Sequence, residues 1–446
     1  YKGDVYCGNT DDYNYPLLHN PVYLVREKRM PIFKKRSFFH HYTDVLHNTL
    51  GEATVELLRF IEDETDYNTD LIWQSVIRTC ALSDLVRCAQ LNRILPRNYI
   101  CDTPGTYGKL NTGLVFHMYY EDLFDENLSF VSNFPKESGV LITTNTFEKK
   151  ALIEEKLKNI ENECQVVVVE NRGRDVSSLL IGAADFVFNY ELICFMHDKK
   201  STQVSPLSVG RSWSYKLNEN TVASKEFVAN VIGMFAKEKW LGMAFPTMPN
   251  HSLYSYHVGN GWTGNFSGTK KLLDDFGINV KINEHTLCVA PLGTCFWFRP
   301  QTLKKLYAGS SGAGWSYHDF PKEPNETDQT ILHVIERVYA YFAQDAGYYP
   351  VYLYNDKFAE IEMTNLEFCK VGSQDMRNWV DVLAMNNLGY MPDGAQHNPY
   401  CPNNNYGVKH ALKMLSLALY MKFPRMWGIL RPFRYIAKKL FRINRG

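Results

Sequence analysis

Between Thr112 and Met196 short, almost wholly apolar runs alternate with stretches whose apolar positions recur at three- and four-residue steps. Gly113–Met118, Gly139–Thr144, Gln165–Val169 and Leu192–Met196 read as strands, with helices between Glu121 and Phe130, Phe147 and Asn159, and Val176 and Phe188. Strand–helix alternation of this kind predicts an α/β fold whose parallel sheet is built by right-handed crossovers. Ligands of open parallel sheets bind at the carboxyl ends of strands, so the loops 117–120, 143–146, 170–175 and 197–201 are where chemistry is expected. Upstream, Leu46, Leu50, Val55, Leu58, Ile61, Leu71, Ile72, Val76 and Ile77 follow helical spacing and predict a small helical subdomain, with Asp70 as a helix cap. Residues 1–40 show neither period and read as a connecting segment. The region 205–370 is less regular, with a strand over Leu287–Phe298 and a helix from Thr327 to Gln344, and it completes one domain. The predicted organisation is therefore a linker and helical segment over 1–110, an α/β domain over 111–372, and loops with a helical tail over 373–446.

Charge changes this picture at the end of the chain. Lys plus Arg equals Asp plus Glu at 48 each over 446 residues, which excludes a nucleic-acid binder that works by bulk charge. The neutrality hides a polarised molecule: residues 408–446 hold ten basic residues, Lys409, Lys413, Lys422, Arg425, Arg431, Arg434, Lys438, Lys439, Arg442 and Arg445, and no acidic one. Their helical spacing opposite Leu, Met, Phe and Ile, interrupted by Pro424 and Pro432, is the profile of amphipathic helices lying in an anionic membrane interface. The alternative is a basic helix packed on the acidic remainder of the chain. The ten cysteines are scattered without a Cys-x-x-Cys pair, which argues against structural zinc and for a reducing compartment.

Four motifs fall where the pattern expects chemistry. Asn171-Arg172-Gly173-Arg174-Asp175 follows a strand; its arginines suit phosphate, and Asp175 suits either a ribose or base contact or a helix cap. His197-Asp198-Lys199-Lys200-Ser201 ends the next strand, where phosphate charge can be met by lysine, by a metal held on Asp198, or by both. Gly293-Thr294-Cys295-Phe296-Trp297-Phe298-Arg299 reads mainly as a buried strand, although Trp297, like Trp262 and Trp213, is able to stack on a sugar ring. The fourth stretch, 323–337, offers Glu326 and Asp328 as general bases at a helix entry, with Glu336 and Arg337 as an internal ion pair.

In order and spacing these four stretches resemble the rhamnan synthesis protein F family, bacterial glycosyltransferases of rhamnose-containing surface polysaccharide; Pro31-Ile-Phe-Lys-Lys35 and Tyr67-Asn-Thr-Asp-Leu-Ile72 fit its linker. At residue 198 the family usually has Thr, so Asp198 is a departure. The resemblance implies a Rossmann-like, GT-A-type transferase domain, with Asn171, Arg172, Arg174, Asp175, His197, Asp198, Lys199 and Lys200 on a nucleotide-diphosphate sugar, dTDP-rhamnose being favoured. In that reaction Asp328 or Glu326 is the expected base and Trp297 and Trp262 are expected on the acceptor, while the departure at Asp198 leaves a divalent metal, Mg or Mn, as an option there. The expected acceptor is a lipid-linked glycan of the O-antigen or rhamnan type at the inner face of the plasma membrane, with other assembly transferases as partners and no nucleic acid. Longer members of the family carry another transferase-like unit upstream of such a linker. The competing reading is a non-catalytic, transferase-like module that binds glycan or scaffolds an assembly complex.

Overall fold

The computed structural model describes residues 21–27, 29, 53–101, 110–198, 200, 206–251, 254, 261–323 and 328–372. Eight strands, β1 (Asn92–Leu95), β2 (Thr112–His117), β3 (Gly139–Thr144), β4 (Cys164–Val168), β5 (Leu192–His197), β6 (Leu241–Phe245), β7 (Phe296–Phe298) and β8 (Tyr349–Asn355), form one mixed sheet. The spatial order is β1-β8-β6-β7-β5-β2-β3-β4. All neighbours run parallel except β7, which pairs antiparallel with both β5 and β6. The four strands read from the apolar runs appear within one or two residues of their expected bounds. β2 and β3 are buried along their whole length, as continuous apolar strands covered on both faces must be. From β2 the chain steps outward through β3 to the edge strand β4, then returns to lay β5 on the other side of β2. That reversal opens a crevice at the carboxyl ends of β2 and β5.

Several expectations change. Of Leu287–Phe298 only Phe296–Phe298 is strand, because Gly293 and Thr294 take positive φ of 97° and 57° and the Thr294 N–H closes a turn onto Pro291 O. The helix expected over Val176–Phe188 is broken into Arg174–Ser177, a wide turn Ser178–Gly182 and Ala184–Val187. The helix placed at Thr327–Gln344 runs Ile331–Asp345. Asp70 is the first residue of its helix and makes no cap; its carboxylate instead accepts from Lys239 Nζ and Trp240 Nε1, both at 2.7 Å. β1 belongs to the segment read as preceding the domain, yet it pairs with β8 and completes the sheet edge.

One apolar core runs through the sheet, joining Val76, Ile77, Leu82 and Leu85 of the upstream helices to β2, β3, β5 and the helix Ile331–Asp345. The basic stretch 408–446 lies outside the described residues. Among the described residues no helix is long and apolar enough to cross a membrane.

Candidate functional site

β2 and β5 both end in histidine, and register sets His117 directly beside His197, with Thr143 of β3 on the other side of His117. His117 is buried, its Nδ1 3.0 Å from Thr143 Oγ1, which is in turn hydrogen-bonded to Ser178 Oγ. Burial pushes the His117 imidazole down to about 4, so it is neutral at physiological pH. His197 spans the crevice differently: Nε2 lies 2.8 Å from Gly293 O and Nδ1 3.0 Å from Asp198 O. The ring thereby pins the left-handed Gly293–Thr294 turn to the end of β5.

Asp175 enters from the opposite loop. Gly173 and Arg174 precede it with φ of 87° and 51°, a left-handed pair that a Cβ on Gly173 would jam against Ser177 Cβ at 2.7 Å. Burial opposes charge on Asp175, but His197, the Thr294 hydroxyl and His117 outweigh it and hold the carboxyl below its usual value. Its Oδ2 is shut off from solvent without a hydrogen-bond partner. Asp198 is a buried carboxyl, 7% exposed. Its Oδ2 accepts the backbone N–H groups of Tyr119 and Tyr120, both at 2.7 Å, while Oδ1 has no partner among the described residues. Burial raises this carboxyl from 3.8 to about 6 despite those two bonds. Asp198 thus clamps the chain leaving β2. With one oxygen spent on backbone, and no group of three or more His, Cys, Asp or Glu placed to hold an ion among the described residues, these side chains do not fit a protein-held Mg or Mn.

Cations and aromatics line the same edge. Tyr119 and Tyr120 meet edge to face at 5.0 Å; Lys149 Nζ donates to Tyr119 O at 2.6 Å and sits 4.1 Å over the Tyr119 ring. Lys200 pairs with Asp122 and lies 5.4 Å over the Tyr120 ring. Arg174 pairs with Glu323 at 2.8 Å. Arg172 turns away: its guanidinium donates to Phe320 O and His318 O, so it ties its loop to the 317–322 segment rather than facing the crevice. Asn171 is exposed. Lys199 and Glu326 lie outside the described residues.

The far wall comes from the helix Ile331–Asp345. Glu336 Oε1 accepts the Gly293 N–H at 2.6 Å, and Arg337 donates to Gly261 O, His333 O, Thr263 Oγ1 and Glu336. This ion pair, only 6% and 15% exposed, is the internal pair expected, and it gathers two loops, 261–263 and the Gly293 turn, onto the helix. Asp328 Oδ1 accepts from Asn265 Nδ2 at 2.9 Å and from the Gln329 N–H at 2.7 Å. Arg174, Thr263, Thr294 and Gln329, four of the six non-glycine residues with positive φ among the described residues, sit in these loops, a concentration of backbone strain typical of functional sites.

Two expected stacking residues are corrected. Trp297 and Trp262 are fully buried, Nε1 of each donating at 2.9 Å to Thr221 O and Thr286 O, with Phe134 and Tyr341 against their rings. Neither has a face free for a sugar. Trp213 is the half-buried one, near Gly293 and edge-on to Tyr254. His117, Tyr119, Tyr120, Lys149 and Thr294 join the site without having been singled out individually; the loop 117–120 at a strand's carboxyl end was the available signal.

All four motifs therefore reach one crevice, the first through Asp175 beside His197 and Thr294 and through the Arg174–Glu323 pair, the other three through His197, Gly293, Glu336, Arg337, Thr263, Asn265 and Asp328. No curated protein matches the chain. The model of the family described as rhamnan synthesis protein F matches residues 7–348, from the segment before the sheet to the last residue before β8, with all four motifs inside the match. A match over most of the length, containing every loop that builds the crevice, places the protein: the chain belongs to the rhamnan synthesis protein F family.

Proposed function

We propose that the chain is a GT-A-type glycosyltransferase of rhamnan-type polysaccharide synthesis, moving a sugar from a nucleotide diphosphate, dTDP-rhamnose in the first instance, to a lipid-linked glycan. The observation that carries this reading is the convergence of the four motifs at the β2/β5 switch point of a family member. A parallel half-sheet continued past its switch point through one antiparallel strand supports the GT-A-type organisation.

In this reading Lys200, Lys149 and Arg174 stand at the rim, where an anionic diphosphate meets cations whose partners, among them Asp122, Tyr119 O, Asn145 and Glu323, are exchangeable. The buried open oxygens Asp175 Oδ2 and Asp198 Oδ1 are acceptors for donor hydroxyls, and each gains the partner it lacks. Transfer joins the acceptor oxygen to the sugar C1, breaks the C1–O bond, and sends the nucleotide diphosphate off with the electron pair; the rim cations offset its charge. The acceptor proton goes to a base at the 323–333 wall. The basic stretch 408–446 is proposed to hold the protein on an anionic membrane at the inner face, where a lipid-linked acceptor resides.

The test is calorimetric titration of the 446-residue chain with dTDP-rhamnose and other nucleotide sugars, paired with diphosphate release on addition of a lipid-linked rhamnose oligosaccharide. Binding weakened by Lys200→Ala, with turnover, supports the transferase; binding without turnover supports a non-catalytic module; no binding of any nucleotide sugar overturns both.

A further inference from the structure

We infer that His333 is the catalytic base that takes the proton of the acceptor hydroxyl, in place of Asp328; this rests on the transferase reading. The other described titratable groups of the crevice are already engaged. Glu336 holds the Gly293 N–H and Arg337. Asp198 holds two backbone N–H groups, and Asp175 lies deep between two histidines and Thr294. Asp328 Oδ1 is engaged by Asn265 and Gln329, which shapes the entry to the helix. His117 is wholly buried.

His333 differs on each count. It stands in the first turn of the helix Ile331–Asp345, half-exposed, three residues before Glu336 and so on the helix face that meets the Gly293 turn. Its Nδ1 lies 2.9 Å from Thr330 Oγ1. In the tautomer whose Nδ1–H donates to that hydroxyl, the Nε2 lone pair is free, and Nε2 has no hydrogen bond to a described residue. The charged groups around the ring are Glu336 and Asp328, which favour its protonation, and Arg337 and Arg174, which oppose it. Burial tips the balance downward from 6.5, so the ring is an unprotonated base at neutral pH. The step balances simply: the hydroxyl proton moves to Nε2, the oxygen bonds C1, the diphosphate departs with the C1–O pair, and the imidazolium returns its proton to solvent.

The experiment uses the 446-residue chain, dTDP-rhamnose and the lipid-linked oligosaccharide. His333→Ala is expected to lower kcat by about 10²–10⁴-fold with donor Kd unchanged, to remove the acidic limb of the kcat/KM pH profile, and to regain part of its rate with added imidazole. Asp328→Asn is expected to keep the acidic limb. A His333→Ala rate within about threefold of wild type, or an acidic limb that persists in His333→Ala and vanishes in Asp328→Asn, overturns the assignment while leaving the transferase intact. Failure of the wild-type chain to bind or consume any nucleotide sugar instead overturns the transferase reading, and this assignment with it.

Discussion

Replacing Asp198 by Asn tests the electrostatics of the crevice through stability alone, without a substrate. The carboxyl is 7% exposed, and burial raises it from 3.8 to about 6 even with two N–H donors on Oδ2. The folded state therefore holds this proton more tightly than the unfolded chain does. The stabilisation is complete below pH 3.8 and is lost as pH rises through about 6. The whole rise corresponds to about 3 kcal/mol, of which about 2 kcal/mol falls between pH 4.5 and 7.5. Asn is neutral throughout and keeps a carbonyl oxygen for the Tyr119 and Tyr120 N–H groups. In urea unfolding at a series of pH values, the stability of Asp198→Asn relative to wild type should climb by about 2 kcal/mol from pH 4.5 to 7.5. A difference that stays flat within about 0.5 kcal/mol refutes the buried, raised carboxyl. Asp198→Ala serves as the control: it strands two backbone N–H groups and should cost about 1–3 kcal/mol for each at every pH.

Other perturbations follow from the same geometry. Arg337→Ala leaves Glu336 a buried charge without its cation and releases the 261–263 loop, so thermal unfolding should show a loss of about 3–5 kcal/mol, and an unchanged melting temperature would refute the clasp. Gly293→Ala forces a Cβ to within 2.8 Å of Leu217 at a φ of 97°, which should destabilise the fold by about 1–3 kcal/mol; equal stability would mean the turn is not left-handed. Removing residues 408–446 should abolish sedimentation with anionic phosphatidylglycerol vesicles, since each basic residue near such a surface contributes about 1 kcal/mol, and sedimentation unaffected by truncation would exclude the tail as the anchor.

What the sequence revealed and what it concealed follow physical lines. β2, β3 and β5 were legible because central parallel strands need apolar residues on both faces, and such runs stand out. β8 was hidden by Pro350, which argues against a central strand; it is tolerated because the register with β6 slips between Leu241 and Met243, opposite the proline. The tryptophans misled for a related reason. Phe296-Trp297-Phe298 lies between two other strands and shows no polar alternation, so nothing local separates a core indole from a stacking one. The motif loops were identifiable by residue type, but the pairing of His117 with His197 and of Glu336 with the Gly293 N–H depends on register and packing across 80 and 43 residues. Arg172, a phosphate contact by type, is drawn off by two carbonyls about 150 residues downstream.

The central claim, that the crevice at the ends of β2 and β5 takes a nucleotide-diphosphate sugar, is tested most directly by titrating dTDP-rhamnose into the wild-type chain and into Lys200→Ala and Asp175→Asn variants of equal thermal stability. Saturable binding by the wild type, weakened about tenfold or more in each variant, is the predicted result. Wild-type binding that neither variant disturbs would place the donor elsewhere and contradict the account.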